Sequence, residues 1–152
     1  MSLLRKLHTF AALPFREKLA FFEAAVLLAY ARLLVRFVPL SKWRKEIAVS
    51  RRSGDGGAPR MGGQRRDDAK LVRRTIKRVG RNVPVEFVCL PQALTARWML
   101  SRRNVPTELL LGTRFSAEEN REFHAWLKAG DLMVTGDCVE SEYAILGSQK
   151  RG

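Results

Sequence analysis

Cysteine is scarce in this 152-residue chain, with Cys89 and Cys138 the only two. Two thiols cannot build the disulfide framework of a small secreted scaffold or a thiolate zinc site, and they point to a reducing compartment. Acidic side chains are also few, 15 against 28 Lys and Arg. The imbalance is uneven: residues 1–105 hold 23 basic and 7 acidic side chains, residues 106–152 hold 5 and 8. The N-terminal two-thirds therefore suits an anionic partner, whether nucleic acid, an acidic membrane face or an acidic polypeptide, and charge alone does not choose among them. Long uncharged apolar runs are missing too. Within the most apolar stretch, residues 19–40, the longest uncharged run is residues 24–31, with Glu23, Arg32 and Arg36 breaking the rest. A bilayer span needs about 20 predominantly apolar residues, so this is a poor transmembrane candidate. Glu23 inside the would-be hydrophobic region also argues against a secretory signal. A cytoplasmic protein is expected.

What is present is a globular composition, 46% hydrophobic and 28% charged, in the length of one ordinary domain. That length supports a core without disulfide staples. The chain divides into a basic, apolar helical segment (1–49), a flexible linker (50–66) and a C-terminal core (67–152). The linker assignment rests on five glycines and a proline in residues 50–64. A helix is expected over residues 16–38, stopped by Pro39. At 100° per residue, Lys18, Arg32 and Arg36 fall within about 40° of one another, Glu23 lies opposite, and the remaining surface is apolar. Such a helix is expected to bury most of its girth, as a core or partner-docking helix, with a membrane-surface helix as the alternative.

In the C-terminal part, Asp67 or Asp68 can cap a helix running to about Arg78, with Leu71, Val72, Ile76 and Val79 as its apolar stripe and Gly80 closing it. Its Arg73, Arg74, Lys77 and Arg78 read as a solvated face or as nucleic-acid contacts. A second helix should start near Cys89, with Pro91 in its first turn, and end by Asn104 and Pro106. A strand over 107–111, a polar loop over 114–121, an alternating strand over 122–129 and a strand over 132–139 follow. Gly130-Asp131 suits a two-residue type II′ turn between the last two. Helices followed by a small antiparallel sheet define an α+β fold.

The hairpin implies chemistry. With Gly130 and Asp131 as the loop, Ala129 faces Leu132, and the same register sets His124 opposite Asp137, where a carboxylate can orient an imidazole and stabilise its cation. A plain charged cross-strand pair explains the same spacing, and a one-residue slip would separate the two. Cys89 opens a helix, where the helix dipole and free N–H groups favour a thiolate and can donate to a developing oxyanion. Alone, Cys89 is an ordinary small buried residue; with His124 and Asp137 it completes the roles of nucleophile, base and orienter. The Cys89 N–H is the best oxyanion donor, with a second from Gln92 or Asn82 left open. Cys138 reads as packing, His8 as a surface residue, and Trp126, on the face of His124, as a cleft wall or as packing.

Cys89-Leu90, the helix that follows, the Phe123–His124–Ala125–Trp126–Leu127 strand and Gly136-Asp137 together resemble the transglutaminase-like cysteine peptidases of lasso-peptide biosynthesis. The apolar, arginine-punctuated residues 19–38 resemble the N-terminal part of the same proteins. The resemblance implies a papain/transglutaminase-like core, with Cys89 as nucleophile, His124 as general base and acid, Asp137 as orienter, and no metal or cofactor. It also implies removal of the leader from a ribosomally made precursor, which frees the core's amino terminus for an ATP-dependent macrolactam synthetase. The chain then reads as the stand-alone peptidase half, served by a separate leader-recognition protein. Its basic N-terminal region offers, as a separate expectation, a docking surface for the leader or for that protein. Two rivals stand beside this reading: a basic nucleic-acid-binding module, and a thiol acyltransferase on the same fold.

Overall fold

The computed structural model describes residues 14–39, 42, 61–81, 89–115 and 121–146. Three helices come first: α1 (Phe15–Phe37), α2 (Gly63–Gly80) and α3 (Cys89–Ser101). Four strands follow, β1 (Glu108–Phe115), β2 (Arg121–Ala129), β3 (Leu132–Thr135) and β4 (Ala144–Ile145), with a 3₁₀ turn at Glu140–Glu142 before the last. The strands form one antiparallel sheet in the order β3-β2-β1-β4. The fold is α+β, as the order of elements implied.

α2 and α3 pack against each other and against the sheet, and α1 packs across both helices. Three alanines and a leucine on α1 (Ala20, Ala24, Ala31, Leu28) are buried and join Val72 and Ile76 of α2, Leu94 and Met99 of α3, and Leu109, Leu127 and Val134 of the sheet in one core. Alanine at these positions lets the helix axes approach closely. The expectation that α1 buries most of its girth fails: Phe15, Leu19, Phe22, Val26, Tyr30, Leu33 and Phe37 are exposed. A single helix laid on two others contacts them along one face only, whatever the polarity of the rest.

α2 begins four residues before the expected cap. Its N-cap is Gly62, which offers no side-chain hydrogen bond, and Asp67 and Asp68 lie inside the helix. Residues 63–66, expected at the end of the linker, are helical; residues 50–60 lie outside those described. Asp68 instead pairs with Arg16 of α1 at 3.6 Å. The apolar stripe is as anticipated, with Val72, Ile76 and Val79 buried. α3 ends where expected: Asn104 takes a left-handed conformation (φ 52°), and the Val105 N–H reaches back to the Leu100 carbonyl at 3.0 Å.

The few acidic side chains join elements. Glu17 of α1 accepts from Arg78 at 3.3 Å and lies 3.9 Å from Arg74, both on α2. Glu23 of α1 meets Arg103 at 2.8 Å and Arg102 at 3.4 Å just beyond α3. Arg66 holds Asp131 in the hairpin turn at 3.1 Å. Each exposed pair contributes at most about 1 kcal/mol, so burial holds the layers together and the pairs align them.

The strands depart from expectation at their ends. β1 runs on to Phe115, taking Arg114 out of the expected loop, because Arg114 pairs with Glu122 of β2. β3 stops at Thr135 rather than reaching residue 139, and β4 was not foreseen. The two-residue turn holds: Ala129 faces Leu132, and Gly130 has φ 55°.

Candidate active site

The hairpin register changes one residue past the turn. Ala129 faces Leu132 and Lys128 faces Met133, but Leu127 faces Thr135, so β3 carries a bulge. The bulge lies where the Arg73 guanidinium of α2 donates to the Met133 carbonyl, and an extra residue there shifts everything beyond it by one position. The expected direct opposition of His124 and Asp137 is thereby lost. Pairing then ends, and Gly136 turns the chain with φ 71°.

His124 consequently meets the backbone. Its Nε2 lies 3.2 Å from the Gly136 carbonyl oxygen. An N–H on Nε2 satisfies this contact by donating, which leaves Nδ1 with the lone pair a base requires. The Asp137 carboxylate turns instead to α2, where it accepts from Lys77 Nζ at 2.5 Å and pairs with Arg73 Nη2 at 3.1 Å. Two residues read from sequence as a solvated face or nucleic-acid contacts thus hold the loop that carries Asp137. Nothing in local spacing signals this, because residues 73 and 137 meet only through the packing of α2 beside β3.

Strand alternation sends Ala125, Leu127 and Ala129 into the core and His124, Trp126 and Lys128 to the other face. There the His124 ring lies 6.1 Å from Trp126, stacked, and 5.5 Å from Tyr143. Trp126 is fully buried and donates its indole N–H to Glu140 at 3.2 Å, while Lys128 pairs with the same carboxylate at 2.9 Å. Trp126 is therefore a packed support for the His124 ring. Gly112, paired with His124 on β1, leaves room for this stack; a Cβ there would fall 2.8 Å from both Trp126 and Tyr143. Tyr143 and Glu140 were not singled out from the sequence, since they come together through the 3₁₀ turn and β4. Burial raises the Tyr143 pKa, against the lowering effect of Arg114. The Arg114 pKa is itself raised, first by its hydrogen bond to Glu122.

Cys89 is the first residue of α3 and packs half-buried at the edge of the core. α3 rests on β2, the strand of His124. Among the described residues no hydrogen bond joins Cys89 to His124, or His124 to the Asp137 carboxylate. The first-turn amide donors are those of Cys89 and Leu90, because Pro91 has no N–H. The Gln92 side chain lies against Gly80, where a Cβ would come within 2.7 Å of its Nε2. Asn82 lies outside the described residues, as does His8. No three His, Cys, Asp or Glu side chains gather as a metal site among the described residues.

The two cysteines differ. Burial raises the Cys138 pKa, and Glu140, Asp137 and Glu142 raise it further. Both desolvation and nearby negative charge disfavour the thiolate. Cys138 lies beyond the end of β3, not on a strand as expected. Iodoacetamide at neutral pH should therefore label Cys138 more slowly than an ordinary exposed thiol; peptide mapping after a time course, with a cysteine-containing reference peptide in the same mixture, checks this, and equal labelling would contradict it.

A helix that opens with a cysteine thus lies on an antiparallel sheet whose β2 carries a histidine against the Gly136 carbonyl. The family model of the transglutaminase-like superfamily matches residues 13–148, and the chain belongs to that superfamily, whose members are usually cysteine-dependent enzymes. No curated protein and no solved structure matches it.

Proposed function

We propose that the protein is a cysteine peptidase that removes the leader from a ribosomally synthesised precursor during lasso-peptide biosynthesis. What supports thiol chemistry is membership of the superfamily, together with a cysteine that opens α3 and a histidine on β2 whose Nε2 meets the Gly136 carbonyl. Leader removal itself rests on the resemblance of the Cys89, His124 and Gly136-Asp137 segments to those peptidases.

His124 Nδ1 takes the proton from the Cys89 thiol, and the sulfur attacks the carbonyl carbon of the leader–core bond. The amides of Cys89 and Leu90 donate to the oxyanion. The C–N bond breaks as His124 returns the proton to the core's amine. Water, deprotonated by His124, then attacks the thioester, the C–S bond breaks, and the leader leaves with a free carboxylate. The mechanism requires substrate binding to bring Cys89 and His124 together, since Cys89 packs on the core side of β2 and His124 lies on its other face. Neither a metal nor a cofactor takes part. The leader-recognition protein is the partner this role calls for, and the macrolactam synthetase takes up the freed core.

The rival nucleic-acid reading loses support from the ion pairs. Arg66, Arg73, Arg74 and Lys77, the heart of the basic helix, face Asp131, Asp137 and Glu17. The acyltransferase reading differs only in the acceptor.

Mass spectrometry of a candidate precursor incubated with the protein and its recognition partner separates the readings. A single cut with water added supports the peptidase, an adduct with an added amine supports the acyltransferase, and intact peptide with salt-sensitive RNA or DNA binding supports the rival.

The Gly136 contact also grades the triad. A wrong tautomer is what makes loss of an orienting carboxylate severe in other hydrolases. Here the carbonyl retains the tautomer, so Asp137→Asn is expected to lower the single-turnover rate by only about 10–100-fold, well short of His124→Ala. Equal losses would assign the tautomer to Asp137 alone.

A further inference from the structure

The exposed side of α1 is a continuous apolar ridge. Phe15, Leu19, Phe22, Val26, Tyr30, Leu33 and Phe37 fall within about 80° of one another at 100° per residue, and from Leu19 to Phe37 they extend about 27 Å. Val26 is 69% exposed, Leu33 56% and Phe37 73%. A monomeric protein rarely leaves a patch of this size uncovered without a partner. Along one flank, about 80–120° from the ridge centre, run Lys18, Arg32 and Arg36. Arg32 and Arg36 have no carboxylate partner among the described residues, whereas Glu17 and Glu23, the acids of the same helix, are paired with α2 and with the end of α3. The helix therefore presents large apolar groups beside uncompensated positive charge.

We infer that α1 seats the protein on an anionic lipid surface, its ridge in the acyl boundary and Arg32 and Arg36 among the phosphates. No helix among the described residues is long and apolar enough to cross a membrane, so the helix lies in the plane. A second copy is the poorer occupant, because self-association would bring two like-charged basic flanks and two chains of net charge +13 together. An acidic protein groove would satisfy the charge, but the ridge is convex and straight, a shape that fluid acyl chains accept without a matching cleft. α2 and α3 separate α1 from the sheet, so seating α1 leaves His124 and Asp137 facing water. The inference does not depend on the peptidase reading.

The test is flotation of the full chain with vesicles of phosphatidylcholine, with and without phosphatidylglycerol. Binding is expected only with phosphatidylglycerol and should weaken as salt rises. Val26→Glu with Leu33→Glu should abolish it, and Arg32→Gln with Arg36→Gln should weaken it by about fivefold per charge. These positions are outside the core, and an unchanged thermal unfolding curve verifies that the variants fold. Undiminished flotation of the Val26→Glu/Leu33→Glu variant would overturn the inference. So would failure of the folded wild type to float, including the case where sedimentation finds a dimer that the same pair of substitutions dissolves.

Discussion

Replacing Cys89 with alanine is expected to lower leader cleavage by about four orders of magnitude or more in single-turnover assays, with substrate binding little changed. The size follows from the absence of a substitute nucleophile. Cys138 is the only other thiol, and burial together with Glu140, Asp137 and Glu142 keeps it protonated. The first turn of α3 would still offer the amides of Cys89 and Leu90, so the residual rate should be what oxyanion stabilisation and binding supply without covalent chemistry. Cys89 is half-buried and packs at the edge of the core. Alanine removes only a sulfur there, so the unfolding temperature should move by a few degrees at most. A Cys89→Ala protein that folds and cuts within tenfold of the wild type would remove Cys89 from the nucleophile's role.

The largest effect on stability should come from Gly136→Ala. The residue has φ 71°, and an added Cβ would lie 2.4 Å from the Ala125 carbonyl oxygen and 2.8 Å from the Trp126 Cβ. The left-handed conformation costs about 1–2 kcal/mol for a residue with a Cβ, and a clash with backbone on a buried strand adds strain that no rotamer change relieves. A loss of about 2–4 kcal/mol is expected, or a fall of roughly 5–15 °C for a chain of this length. Circular dichroism melts measure it. Gly63→Ala is the matched control: nothing lies within 4 Å of its Cβ, it sits at the start of α2, and it should leave stability unchanged or slightly raised. Equal melting of Gly136→Ala and wild type would show that the turn accommodates a side chain. Activity should fall with the same substitution, because the Gly136 carbonyl is the atom that meets His124 Nε2.

The first expectation depends on a local feature readable in advance, a cysteine that opens a helix; the second depends on a turn at Gly136 where the sequence implied a continuing strand. α1 and α3, the apolar stripe of α2, the two-residue turn at Gly130-Asp131 and the facing of His124 with Trp126 all follow from periodicity, Pro and Gly placement and strand alternation, which act over a few neighbouring residues. The start of α2 was misjudged because Asp67 and Asp68 are good caps by type, yet Asp68 is drawn to Arg16 on another helix. The apolar girth of α1 was read as buried because composition reports how greasy a helix is, not how many neighbours it has.

By itself, then, the sequence determined the α+β class, the helix that opens with Cys89 and the strand that presents His124, since each depends on side-chain pattern within one element. Only the tertiary structure decided how Asp137 is placed. Counting across the hairpin set Asp137 opposite His124, but Arg73 reaches the Met133 carbonyl, the strand bulges, and the register slips by one. Asp137 then falls to Arg73 and Lys77, and the Gly136 carbonyl takes the imidazole. A contact between residues sixty positions apart forms only once α2 is packed beside β3, and no spacing within the hairpin encodes it.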